Sequence, residues 1–126
     1  MISVVVAARD EERRIGDCLA CVIGWADEVI VVDDHSTDAT AVIAESRGAR
    51  VIRLAERDFV VNEVLGRPDV VFKEGFLAAH GDWILRLDCD ERPSEGLKAR
   101  LRRVEAEGGC AGVRFARRYY YFGDWL

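Results

Sequence analysis

Apolar residues along this 126-residue chain come in short bursts divided by charged stretches. Ile2 to Ala7 is β-branched and unbroken, the pattern of a strand buried on both faces. Asp10 then stands as an N-cap. From Glu11 the residues Ile15, Cys18, Leu19, Val22 and Ile23 recur at helical spacing until Gly24, with acidic residues at the start that suit the helix dipole. Val29 to Val32 predicts a second buried strand. Thr37 is placed to cap a helix over Ala39 to Arg47, with Gly48 at its C′ position, and Val51-Ile52 marks a third strand. Glu56 to Asp69 lacks a period and contains the turn signal Gly66-Arg67-Pro68, so a long loop is expected there. Val70 to Ala79 resumes helical spacing, Gly81 stops it, and Trp83 to Leu87 predicts a buried central strand. Ser94 caps a helix over Glu95 to Glu107, ended by Gly108-Gly109. The stretch from Cys110 to Leu126 alternates and is rich in aromatics, predicting one or two strands with a turn at Phe122-Gly123-Asp124.

Strands alternating with helices predict an α/β fold. Its sheet is mostly parallel with helices on both faces, and residues 1–126 form a single domain. In open sheets of this kind ligands bind outside the carboxyl ends of the strands. Three acidic clusters follow predicted strands: Asp10-Glu11, Asp33-Asp34, and Asp88, Asp90 and Glu91. The topology therefore gathers them at one edge of the sheet. In an extended segment residues i and i+2 point the same way, so Asp88 and Asp90 converge on one point. Paired carboxylates repel unless a cation lies between them, and Mg²⁺ or Mn²⁺ fits an all-oxygen donor set. The plainer alternative is a polar turn that ends a strand, with Asp10 and Asp34 as caps or turn residues.

Composition narrows the chemistry. Half the residues are hydrophobic and a third charged, and the net charge of −5 argues against a nucleic-acid surface built on phosphate contacts. No apolar run approaches the ~20 residues that span a bilayer, and Met1 to Val6 lacks the features of a signal peptide. Cys18 and Cys21 have the spacing of half a zinc site but no second pair completes it. With Cys89 and Cys110 they are read as free thiols, consistent with a cytoplasmic location. Neither GxGxxG nor GxxxxGK[ST] occurs. A carboxylate-lined site must therefore hold phosphates through a metal, leaving Asp34 and Asp10 to accept hydrogen bonds from ring N–H groups or ribose hydroxyls. His35 reads as a solvated turn residue and His80 as a helix-end residue. Neither is assigned a role.

Ile2 to Glu12 (ISVVVAARDEE), Val29 to Thr40 (VIVVDDHSTDAT) and Gly81 to Ser94 (GDWILRLDCDERPS) resemble the successive motifs of family 2 glycosyltransferases. The likeness is nearest the lipopolysaccharide-core glucosyltransferase type. That resemblance implies a GT-A fold and inverting transfer of a sugar from a nucleotide diphosphate donor, with a UDP-sugar expected, to a glycan or lipid-linked acceptor. It also implies site residues. Ala7 and the Arg9-Asp10-Glu11 segment would contact nucleobase and ribose, and Asp34 the uracil ring. Asp88 would lie nearer the ribose, and Asp90, paired with Asp88, would hold Mn²⁺ or Mg²⁺ on the diphosphate.

Two departures stand out. The family's usual Arg-Asn is replaced by Phe72-Lys73 ahead of Gly75. Lys73 can still reach a phosphate, whereas Phe72 cannot stand in for arginine. The acceptor-binding half, with its Asp or Glu base, is expected beyond Leu126, so the chain is read as the nucleotide-binding half. Its tail (Arg114, Arg117, Arg118, Tyr119 to Tyr121) offers a surface to an acceptor lipid or to the inner face of a membrane. The alternation favours instead a strand with a partner outside the chain. Two other readings remain open. One is a nucleotide-binding module without turnover, able to pair with another copy through an exposed sheet edge. The other is a sugar nucleotidyltransferase, although Ala7-Ala8-Arg9-Asp10 is not the glycine-rich basic loop such enzymes carry after the first strand.

Overall fold

The computed structural model describes residues 1–54, 67–121 and 124–125, with side chains over 1–54 and 71–119. Strands and helices alternate as β1 (Ile2–Ala8), α1 (Ile15–Ala20), β2 (Glu28–Asp33), α2 (Thr40–Ser46), β3 (Arg50–Arg53), α3 (Arg67–Ala78), β4 (Trp83–Asp88) and α4 (Glu95–Glu107). Two short strands, β5 (Tyr120–Tyr121) and β6 (Asp124–Trp125), pair antiparallel near the end. The four longer strands form one parallel sheet in the order β3-β2-β1-β4.

Burial explains the arrangement. Val4, Val5 and Val6 are all fully buried, because β1 is sandwiched between two apolar layers. On one face Val4, Val6, Leu85 and Leu87 pack against Ile15, Cys18 and Leu19 of α1 and Ala44 of α2. On the other, Val5, Ile30 and Val32 pack against Val71 and Phe72 of α3. The α/β expectation of a parallel sheet with helices on both faces holds. The approach of α3 is close: a Cβ placed on Gly75 would lie 2.3 Å from Val5 Cγ1 and 2.9 Å from Val32 Cγ2.

At the opposite end of the sheet from the acidic edge, polar groups are tied together. Buried Ser3 donates its hydroxyl to Glu28 (2.6 Å) and accepts the Gly81 N–H (2.9 Å). His80 gives Glu28 both its backbone N–H and its ring Nδ1, at 2.9 and 2.8 Å. His80 thus anchors the entry to β4. Asp27 accepts the Ile2 N–H and pairs with Arg102, fastening α4 beneath the sheet.

Several sequence expectations change. β4 is an edge strand of the described sheet and β1 an interior one. Only Leu85 and Leu87 of β4 are well buried, while Ile84 and Arg86 remain exposed on the α3 side. The expected helix from Glu11 shortens to six residues, its N-cap Arg14 makes no side-chain capping bond, and Ile23 falls outside the buried stripe. Thr37 does not cap α2; Asp38 accepts the Thr40 N–H at 2.9 Å and the Thr40 hydroxyl. Ser94 caps α4 as expected, accepting the Leu97 N–H at 3.2 Å. α3 begins at Arg67, inside the predicted turn, because proline is tolerated in a first helical turn. The rest of the predicted long loop and Phe122-Gly123 lie outside the described residues. Residues 112–119 form no strand, so the predicted strand structure is confined to β5 and β6.

Candidate active site

Parallel register brings the carboxyl ends of three strands level. Ala8 pairs with Asp33, and Ala7 pairs with both Val32 and Asp88. Side chains that follow these ends share one open cavity of about 430 Å³, lined by Ala7, Ala8, Arg9, Glu11, Asp34, Val71, Phe72, Arg86, Asp88, Cys89 and Asp90. Of the predicted site residues, Ala7, Arg9, Glu11, Asp34, Asp88 and Asp90 are thus brought together. Asp10 and Lys73 are not among the lining residues.

The loops after β1 and β2 are laced to each other. Asp10, at φ 52°, turns its carboxylate away from the cavity to accept the Thr37 N–H (2.7 Å) and hydroxyl (3.2 Å). Its own N–H donates to Ser36 Oγ, that of Glu11 to Thr40 Oγ1, and that of Glu12 to Asp38. Asp10 is therefore a loop clasp and not a helix cap. Burial pushes the Asp38 carboxyl up, but the bonds from Thr40 and the Glu12 amide outweigh this and hold it below its usual range. The lacing fixes the two loops that bring Glu11 and Asp34 to the cavity. Asp34 is 6% exposed; Arg9 approaches it at 3.7 Å and His35 Nδ1 at 3.0 Å. His35, at φ 60°, folds back onto its neighbour and is not simply solvated. A lone histidine in a polar run gives no sign of that in sequence.

Asp88 and Asp90 share the cavity by a different route from the one their spacing suggests. The strand ends at Asp88, and the Glu91 N–H closes a turn on the Asp88 carbonyl at 2.9 Å. A turn, not the pleat of a strand, brings the two carboxylates to one side. Glu91 takes no part: its carboxylate accepts the Asp88 N–H and pairs with Arg117 at 2.9 Å. Cys89 and Cys18 brace the turn from behind, their thiols donating to the carbonyls of Ala7 (3.3 Å) and Asp88 (3.8 Å). Burial raises both thiols, Cys18 to about 11, so they act as packing groups rather than nucleophiles.

Among the described residues no three or more His, Cys, Asp or Glu side chains stand close enough to hold an ion by themselves. Two hard carboxylates at the mouth of a cavity suit Mg²⁺ or Mn²⁺ when a substrate's phosphates complete the shell. Sequence reading missed Arg86. Its guanidinium lies 3.9 Å from the Phe72 ring centroid, so the aromatic at position 72 carries an arginine delivered from β4. Among the described residues no helix is long and apolar enough to cross a bilayer.

Comparison with known proteins identifies the family and the fold. An uncharacterized glycosyltransferase of Rickettsia bellii is 38% identical over 107 residues, spanning 83% of this chain and 33% of that protein. Glucosyl-3-phosphoglycerate synthase of Mycolicibacterium paratuberculosis is 38% identical over 95 residues, 71% of this chain and 28% of the relative. The crystal structure of glucosyl-3-phosphoglycerate synthase from Mycobacterium tuberculosis with Mn²⁺, UDP and glucosyl-3-phosphoglycerate superposes with a TM-score of 0.59. It is 31% identical and matches 71% of this chain and 33% of that one. The chain thus spans about a third of the length of these relatives. The GT-A expectation is met. Residues 3–126 match the family described as Glycosyl transferase family 2, and the chain belongs to that family.

Proposed function

We propose that this chain binds the donor of an inverting hexosyltransferase that moves a sugar from a UDP-sugar to a glycan or lipid-linked acceptor. The observation that carries this reading is the meeting of Asp34, Asp88 and Asp90 in one cavity at the carboxyl ends of three parallel strands. Asp34, braced by His35 and Arg9, is an acceptor suited to the imide N–H of a uracil ring. Small Ala7 leaves room for the nucleoside over the end of β1, with Arg9 and Glu11 beside it. Asp88 accepts a ribose hydroxyl. Asp90, with Asp88, would hold Mg²⁺ or Mn²⁺, which when bound offsets charge on the departing diphosphate. The relatives' structures contain UDP with Mn²⁺ or with Mg²⁺, which supports the same cofactor choice here.

In the transfer, the acceptor oxygen attacks the anomeric carbon from the side opposite the diphosphate. The carbon–oxygen bond to the diphosphate breaks and its electron pair leaves with UDP. The acceptor's proton passes to a carboxylate base, which we place in an acceptor half beyond Leu126. Asp10 serves by clasping the loops, and Lys73 lies outside the donor contacts. A nucleotide-holding module without turnover is the second reading.

Calorimetric titration of UDP and GDP, with Mn²⁺ and with chelator, tests the site. UDP binding that needs metal and is lost in Asp88→Asn and Asp90→Asn is expected. Metal-independent binding, or none by folded protein, would overturn the reading. Release of free sugar or UDP from UDP-glucose then separates turnover from mere binding.

A further inference from the structure

We infer that Arg86 is a donor-contacting residue, a strand-borne guanidinium that grips the diphosphate of the nucleotide. The inference rests on the nucleotide reading above and adds to it a cation whose position in the chain carries no motif. The lining of the cavity includes four carboxylates, Glu11, Asp34, Asp88 and Asp90, against two guanidiniums, Arg9 and Arg86. A nucleoside diphosphate brings further negative charge into this acidic space, so cations near its phosphates matter most. Arg9 lies on the Asp34 flank.

Arg86 lies on the other. In the order β2-β1-β4, Asp34 follows one outer strand of this trio and Asp88 ends the other. Arg86 precedes Asp88 by two residues, so both side chains leave β4 on the same face. In register Arg86 stands beside Val5 and Asp88 beside Ala7. A nucleotide lying across β1 with its base at Asp34 therefore brings its phosphates to the flank that holds Arg86 and Asp88.

The Arg86 side chain is also preorganised. Phe72 is 2% exposed, held in the core with Val5, Val32 and Val71, and its ring supports the guanidinium at 3.9 Å. The planar guanidinium held over the ring carries a fork of N–H donors that matches two phosphate oxygens. Ordering a free arginine side chain on binding costs entropy, and the stack removes part of that cost in advance.

The test titrates UDP and uridine, with Mn²⁺, into wild type, Arg86→Gln, Arg86→Lys and Asp88→Asn, with melting temperatures measured alongside. Losing a charge-assisted contact lowers UDP affinity by about 10- to 100-fold in Arg86→Gln. Uridine, which has no phosphate, binds wild type and Arg86→Gln equally. Arg86→Lys keeps the charge but not the planar fork, and recovers only part of the loss. UDP affinity unchanged in Arg86→Gln, or equal losses for UDP and uridine, overturns the inference. Should Arg86→Gln unfold before titration, Arg86→Lys decides, and wild-type affinity in that variant refutes the guanidinium's role. Loss of UDP binding in Asp88→Asn but not in the Arg86 variants would leave the nucleotide reading standing without this residue. Absence of metal-dependent UDP binding to wild type would remove both.

Discussion

Glycine 75 sets how closely α3 approaches the sheet, and replacing it with alanine measures that closeness. A Cβ there would sit 2.3 Å from Val5 Cγ1 and 2.9 Å from Val32 Cγ2, on two interior strands whose valines are fully buried. Carbon atoms pack at about 3.5–4.0 Å, so the helix must lift by more than about 1 Å or the valines must leave their rotamers. Overpacking of this kind costs about 1–3 kcal/mol, and the better helix propensity of alanine returns about 1 kcal/mol. With two contacts violated against fully buried methyl groups, Gly75→Ala should lose on the order of 1–2 kcal/mol.

Gly96 in α4 is the internal control. It is helical and exposed, and a Cβ added there would meet nothing within 4 Å, so Gly96→Ala should gain up to about 1 kcal/mol. Urea unfolding followed by circular dichroism gives both midpoints, and unchanged slopes would confirm that stability alone has moved. Lifting α3 also displaces Phe72 and the guanidinium stacked on it, so UDP affinity should fall in Gly75→Ala and stay constant in Gly96→Ala. Two alanine variants stabilised alike would refute the close packing of α3 on β1 and β2.

Two further predictions concern stability. Burial pushes the Glu28 carboxyl up, but hydrogen bonds from the His80 N–H, the Ser3 hydroxyl and the His80 ring outweigh it and hold the group at about 2, against an ordinary 4.5. A depressed pKa stabilises the fold fully above the unfolded value and ceases to do so as pH falls through the folded one. Glu28 should thus contribute on the order of 2–3 kcal/mol at neutral pH, lost between about pH 4.5 and pH 2. Denaturation of wild type and Glu28→Gln should show a gap at pH 7 that closes toward pH 2, and a gap independent of pH would contradict the network. Ser94→Ala removes the one side-chain acceptor at the start of α4 and should cost about 1 kcal/mol, with Ser94→Asp retaining most of it. Equal midpoints for Ser94→Ala and wild type would show that the cap contributes nothing.

The strand–helix alternation, the cap at Ser94 and the gathering of acidic clusters at one sheet edge were legible from residue order alone. The reason is that period and punctuation are local properties: β-branched runs, helical stripes and glycine stops act within a few residues. The parallel topology then follows from alternation, and the position of ligands from the topology. Boundaries were less legible. The helix after Asp10 begins only at Ile15, and ahead of it the N–H groups of Asp10, Glu11 and Glu12 go to Ser36, Thr40 and Asp38, partners 26 to 29 residues away.

Tertiary structure alone decided what each acidic residue does. Asp10 and Glu91 look in sequence like further site carboxylates, yet each is turned onto backbone N–H groups or hydroxyls, while Asp34, Asp88 and Asp90 face the cavity. Long-range partners make that choice, and spacing along the chain does not encode them. Position 72 shows the same limit in a single residue. Read alone, Phe72 is an arginine lost from a motif. In the fold, parallel pairing of β4 with β1 and the descent of α3 onto Val5 place Arg86 over its ring, so the charge is supplied from another strand.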